Sequence, residues 1–568
     1  MPQVRGARVS QFPGHDGDLR VTMGSTRKSV APEAASVQCP SFPCAPVGEM
    51  ATLSGFRAEF YRSLTSRADA LFDLADAVPC ADGPIKTLVD LVLAPEHRRG
   101  HGAMYDALNA GGIDLTRFRR ALAGLPWPRT ADGRLMLAVD VSPWLRPDAA
   151  TCPDRSFCHT YGRGRDEHRM IPGWPYSVIA ALEPGRSSWT APLDALRLEP
   201  GADVAAVTAV QARDLIERLI QAGQWHEGGP PILLIFDAGY DLARLTYELR
   251  DLPVEVLGRL RSDRVMRRPT PERVYDPKGG RPPKHGGEFV FGDPETWGEP
   301  DQRTATETSN YGLAEARAWD RLHPKLTRRA AWTGHAGELP LLERTVIRPQ
   351  VDHLPSHGEP KPVWLWWSGT GAGAATVERL WQAFLRRFDI EHTCRMIKQT
   401  LGRTRPRLRD PEAADRWAWL IMACYTQLRL ARPLVEDLRR PWEKPARPDR
   451  QTPARVQRGF RNPRAKTGSP AAAPKPSRPG PGRPPGSRNR RSTERYDVGH
   501  VLATGEAYKP PTHHKKGPKP RRTGSTTSSV RFLCPKRLQQ GTAARSEGPP
   551  AAHARRHPAD RGRTRRRR

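Results

Sequence analysis

Three carboxylates and the cations near them are the side chains in this sequence best placed to do chemistry. Two apolar runs, Leu135–Val139 and Pro231–Phe236, each lead into an aspartate followed by turn-like residues: Asp140-Val-Ser-Pro-Trp and Asp237-Ala-Gly-Tyr-Asp. Strand ends in open α/β sheets are where sites form, although a lone aspartate there is as often a cap or a turn residue. A third carboxylate, Glu391, belongs to the run Phe384-Leu-Arg-Arg-Phe-Asp-Ile-Glu-His-Thr-Cys-Arg-Met-Ile-Lys398. On one helix Phe384, Arg387, Glu391 and Lys398 fall within roughly one 60° sector. That face presents an aromatic ring, a cation, a carboxylate and a second cation. Carboxylate oxygens suit hard cations such as Mg²⁺. On charges alone, a solvated face with an Arg/Glu pair at i, i+4 is the better account of the helix.

The order Asp…Asp…Glu, with Asp237-Ala-Gly-Tyr-Asp241 at the second carboxylate, resembles bacterial insertion-sequence transposases of the DDE type. Many of these share a helix pattern Tyr-x2-Arg-x3-Glu-x6-Lys around the last carboxylate. Arg387, Glu391 and Lys398 match it, and Phe384 stands where tyrosine is usual, one hydroxyl short. Leu401-Gly402 and the segment Trp417–Leu430 also look like this group's C-terminal core. The resemblance covers about residues 51–432. It implies a ribonuclease-H-like nuclease domain in which Asp140, Asp237 and Glu391 are the catalytic metal ligands, holding two Mg²⁺ ions for which Mn²⁺ would substitute. Paired ions can clamp the attacking and leaving oxygens of an in-line displacement at phosphorus. Arg387, Lys398 and Phe384 are then the expected DNA contacts, with arginine able to grip phosphate in bidentate fashion and lysine as a point charge. Tyr240 and Asp241 are expected to shape the second turn.

The elements that must position these groups can be read along the chain. Residues 1–50 carry no clear period and are expected to be a disordered extension. Residues 51–130 read as a small helical, DNA-binding or supporting domain. Its helices are expected over Phe56–Ala75, Ile85–Leu93 and Leu115–Leu122, the last capped by Asp114. Residues 131–432 read as the α/β catalytic domain, with strands at 135–142, 176–182, 231–237 and 254–260 and helices at 204–222 and 242–249. A partly β insertion is expected at about 262–362. Beyond it come a strand at 363–367 and helices at 376–401 and 411–430. The expected fold is thus α/β, a mixed sheet with flanking helices. Residues 433–568, rich in Pro, Gly, Arg and Lys, read as a disordered tail.

Charge agrees with a nucleic-acid partner. The net formal charge is +31, of which residues 451–568 contribute +25. A polycation of this kind seeks a polyanion, and double-stranded DNA is the expected one. No run approaches the length of a membrane span, so no membrane partner is expected. The eight scattered cysteines suggest reduced cytosolic thiols, and the resemblance implies a cytoplasmic, nucleoid-associated bacterial protein. Cys152-x5-Cys158-His159 lacks a second ligand pair, so no zinc site is expected. Gly279–Lys284 and Gly482–Gly486 resemble minor-groove hooks only weakly. Trp144, Trp364, Trp366 and Trp367 are expected to pack in the core rather than stack on an extruded base. The chain is expected to act as a homodimer or higher assembly that cuts and joins insertion-sequence ends. The competing readings are a catalytically inactive or domesticated DNA-binding derivative and a host nuclease of the same fold.

Overall fold

The computed structural model describes residues 48–499 except 162–167, 186, 273–278, 280–282, 310, 330–331, 355–358, 476–483 and 488–491. The expected N-terminal extension, nearly all of it, and the chain from residue 500 lie outside the described residues, as do parts of both Gly-Arg-Pro motifs.

The first helical pattern divides in two. Helix α1 (Glu49–Ser63) and helix α2 (Ala68–Cys80) are separated by a short strand, β1 (Leu64–Ser66), and by Arg67 in a left-handed conformation, φ 52°. Strand β1 pairs with β2 (Gly112–Ile113), which takes Leu64 out of the helical series. The helix expected over 85–93 is reduced to a 3₁₀ turn at Val89–Leu93, and helix α3 (His101–Ala110) appears where none was expected. Helix α4 (Leu115–Ala123) begins as its cap requires, with the Asp114 carboxylate accepting from the Arg117 amide at 3.0 Å.

A ten-stranded mixed sheet forms the centre. Its members are β3 (Met136–Leu145), β4 (Ser156–Tyr161), β5 (His168–Leu182), β6 (Thr190–Arg197), β7 (Ile232–Phe236), β8 (Val254–Leu260), β11 (Gln302–Thr308), β12 (Gly312–Leu322), β13 (Arg344–Val351) and β14 (Trp364–Trp367). Strands β3, β7 and β8 run parallel; β5 is antiparallel to β3 and carries β4 and β6 on its other edge. Strand β7 is buried along its whole length, as expected of a parallel strand covered on both faces. Helices α5 (Val204–Gln221) and α6 (Leu242–Glu248) make the β6-to-β7 and β7-to-β8 connections.

Strands do occur in 262–362, but as two sets. A hairpin of β9 (Val265–Arg267) and β10 (Glu288–Val290) stands apart, whereas β11, β12 and β13 continue the core sheet beyond β14. The hairpin covers an aromatic cluster in which Phe291 stacks on Trp364 at 4.2 Å. Trp144, Trp364 and Trp366 are fully buried, so packing explains them.

After β14 come helices α7 (Ala374–Arg386), α8 (Asp389–Arg395) and α9 (Pro411–Ala431). Helix α9 is apolar nearly all round and lies in the core, touching α1, α2 and α3 on one side and β6 on the other. The Phe60–Phe118 and Phe118–Trp419 ring contacts, at 5.1 and 5.8 Å, make the helical and sheet cores continuous.

Disorder from residue 433 does not hold throughout. Helices α10 (Pro453–Gly459) and α11 (Arg461–Thr467) pack with Val456 and Phe460 fully buried. Two of the arginines that made this stretch look like a polycation are counter-ions of buried acids. Arg464 meets Asp76 at 2.9 Å, Arg461 meets Glu96 at 2.8 Å, and Asp76 is also held by Arg57 at 2.5 Å. Local composition cannot reveal partners that lie hundreds of residues away.

Candidate active site

Asp140 does not end its strand; β3 runs on to Leu145. What ends near Asp140 is the parallel partner. The β3–β7 pairing runs Met136 with Leu233, Leu137 with Leu234 and Ala138 with Ile235. Two steps further on, that register sets Asp140 beside Asp237, the first residue past β7. A strand whose neighbour stops leaves one flank open, and both aspartates approach the same guanidinium, that of Arg387. The chain after Asp237 turns sharply, with the Tyr240 amide donating to the Asp237 carbonyl at 3.4 Å. The Asp241 carboxylate then caps α6 by accepting from the Arg244 amide. Gly258 on β8 lets α6 sit low, since a Cβ there would lie 2.5 Å from a Leu242 methyl carbon.

The single helix expected over 376–401 is three pieces. It breaks at Arg387–Phe388, where the amides of Arg387, Phe388, Ile390 and Glu391 reach back three residues instead of four. After α8 it widens into a π-helical turn, Met396–Thr400; such turns occur often at functional sites. Arg387 and Glu391 still share a face across the break. The inner side of α8 is pinned by Thr393, whose hydroxyl lies 2.8 Å from that of Thr190 on β6 and 3.1 Å from that of Tyr425 on α9.

These elements bring the three carboxylates around one guanidinium. Arg387 lies 3.9 Å from Asp140, 3.4 Å from Asp237 and 3.5 Å from Glu391. The last two distances are both to Nη2, so those two carboxylate oxygens stand within 6.9 Å of each other, the 3.4 and 3.5 Å laid end to end. The cation is the floor of the site: its side chain is 4% exposed, against 26%, 41% and 49% for Asp140, Asp237 and Glu391. Burial pushes the Asp140 carboxyl up to about 6; Arg387 opposes the rise, and Glu391 and Asp237 add to it. Burial also raises the Tyr240 hydroxyl, which has no hydrogen-bond partner among the described residues, and its ring rests on Phe236 at 5.1 Å.

The expected DNA contacts are placed differently from one another. Phe384 is buried on the wall of a cavity of about 370 Å³ lined also by Tyr311, Trp381, Leu385 and Phe388. Its ring sits within α7, before the break, and is buried there. Arg387 points at the carboxylates and not outward. Lys398 is half-buried on the π-helical turn, where burial lowers its pKa and the Asp140 charge partly restores it. Sequence reasoning missed Arg403, which is buried, donates to the Ser142 carbonyl at 2.8 Å and lies over the Tyr176 ring at 4.8 Å. Tyr176 in turn donates to Asp415 at 2.7 Å. This chain of contacts braces β3 two residues beyond Asp140; only its position after Leu401-Gly402 hinted at it.

The donors are of the type a hard divalent cation takes: carboxylate oxygens only, partly open to solvent. Among the described residues, no three acidic, His or Cys groups already stand close enough together to hold one ion. The three carboxylates are instead spread at guanidinium spacing.

Residues 59–325 match the family model of the DDE superfamily endonucleases. Together with the mixed sheet, in which β6, β5, β3, β7 and β8 stand in that spatial order, the match supports a DDE-type, transposase-like nuclease of ribonuclease-H-like fold. The matched stretch contains Asp140 and Asp237, and Glu391 lies outside it. Comparison with curated proteins gives no match. Among the described residues no helix is long and apolar enough to cross a membrane. The substrate implied by the class is DNA, and nucleases of this class typically use a divalent metal.

Proposed function

We propose that this protein is a transposase that cleaves double-stranded DNA at the ends of an insertion sequence and joins them to a target, with Asp140, Asp237 and Glu391 as its catalytic carboxylates. The observation that carries the reading is the convergence of these three side chains, from two strands and a helix, within 4 Å of one guanidinium. The three carboxylates would hold two Mg²⁺ ions, which would activate water or a 3′-hydroxyl and offset charge on the leaving oxygen.

The protein's own groups do the rest. Asp237 and Glu391 offer half-open oxygens on the solvent side of the site. Asp140 lies deeper, fixed by its strand register and by the brace from Arg403. Lys398 supplies a cation beside Asp140 for a phosphate of the bound strand. Thr393 holds α8, and hence Glu391, against β6 and α9. No covalent protein intermediate is needed.

The test is product analysis on DNA carrying the element's terminal repeats, incubated with Mg²⁺. Nicked ends that become joined to a target plasmid support a transposase. Hydrolysis without joining would mean a host nuclease, and binding that persists in EDTA with no cleavage in Mg²⁺ would mean a DNA-binding derivative only.

A further inference from the structure

We infer that Arg387 is the resident counter-ion of the carboxylate triad, competing with divalent cations for the same three side chains. The inference rests on the metal-dependent reading above and goes beyond it. Among the described residues, every ion pair made by Asp140, Asp237 and Glu391 is with Arg387. Three carboxylates brought this close repel one another, and one buried positive charge offsets part of that repulsion.

The manner of contact separates Arg387 from a structural arginine. Arg57 grips Asp76 through two nitrogens at 2.5 and 3.0 Å, the bidentate fork of a permanent pair. Arg387 makes no such fork. Its three contacts, at 3.4 to 3.9 Å, are all longer than a charge-assisted hydrogen bond. Among the described residues its Nε has no hydrogen-bond partner. The cation is shared loosely among three acids, and the oxygens on the solvent side stay free. Arg387 therefore gives up the carboxylates when a divalent cation takes them. Its guanidinium, released at the floor of the site, is then available to a phosphate oxygen of the bound strand.

The experiment is Mn²⁺ titration of the full chain, with free Mn²⁺ read by electron paramagnetic resonance, alongside thermal unfolding in EDTA and in Mn²⁺. The proteins are the unmodified chain, Arg387→Gln, Arg387→Lys and Asp140→Asn. Arg387→Gln is expected to bind Mn²⁺ at least about tenfold more tightly, because a unit positive charge a few ångströms from the ion is gone. It is also expected to gain more thermal stability from Mn²⁺ than the unmodified chain does. Arg387→Lys, with its charge on a shorter reach, should fall between the two, and it carries the test alone if the glutamine variant does not fold. Asp140-dependent Mn²⁺ binding that these variants leave unchanged or weaken overturns the inference and spares the site. If Mn²⁺ binding does not depend on Asp140 at all, the site reading fails and the inference fails with it.

Discussion

Asp140 and Asp237 are register neighbours across a parallel strand pair, one standing inside its strand and the other just past the end of its own. That offset gives them different environments. Asp140 is the more buried, and its carboxyl is raised to about 6 chiefly by burial.

A stability consequence follows for the metal-free protein. An acid whose folded pKa is raised from 3.8 to about 6 holds its proton more tightly when folded. Its contribution to stability is therefore greatest below pH 4 and declines as pH rises through about 6. Asp140→Asn, which mimics the protonated form, should be more stable than the parent in EDTA at pH 7, by on the order of 1–3 kcal/mol. The difference should vanish near pH 4. Thermal unfolding across this pH range checks it; equal stability at pH 7 contradicts it.

The Thr393 hydroxyl positions the helix that carries Glu391. Thr393→Val keeps the shape and removes its contacts to Thr190 and Tyr425, leaving those buried hydroxyls a partner short. A stability loss of about 1–3 kcal/mol is expected, with cleavage reduced and DNA affinity unchanged. A fall in DNA affinity equal to the fall in cleavage would argue against a positioning role.

Lys398, half-buried on the π-helical turn, is the cation proposed above to meet a phosphate. Lys398→Ala should weaken DNA binding without loss of fold and lower the salt slope of binding by about one unit. An unchanged slope in a salt titration would remove Lys398 from the interface.

The segment 453–472 is a folded strap. Asp76→Ala leaves Arg57 buried without its carboxylate partner, and removing one side of a buried pair costs about 3–5 kcal/mol. Truncation at residue 452, which removes Arg461 and Arg464, should likewise lower the melting temperature. A truncated chain as stable as the full one would show that the strap adds nothing to the fold.

Much of this was legible in the sequence, for definite reasons. Strand β7 and helices α4, α5 and α6 follow from short-range signals: an apolar run of strand length, Asp114 as the cap of α4, and a 3.6-residue period. Asp140 and Asp237 stand out in the sequence because each follows an apolar run, whereas Glu391 is assigned only through the resemblance to the DDE-type helix pattern. What local pattern could not show was long-range pairing. Leu64 fits the helical period but is claimed by a strand pair with Ile113. The break at Arg387–Phe388 has no proline or glycine to announce it, and no local signal shows that Phe384 packs on a cavity wall. The strands of 302–351 looked like an insertion because nothing local says that they continue the core sheet. Arg461 and Arg464 read as tail charge because Glu96 and Asp76 are so distant in sequence.

The central claim is that Glu391, outside the segment matched to the endonuclease family, completes a site with Asp140 and Asp237. The most direct measurement is Mg²⁺-dependent cleavage of terminal-repeat DNA by purified Glu391→Gln, beside the parent chain and Asp140→Asn. The account predicts that both variants fold and bind DNA while their cleavage rates fall by at least about a thousandfold, of the order of the 4 kcal/mol that removal of one essential charged group can cost. Cleavage by Glu391→Gln at a rate near that of the parent would contradict it.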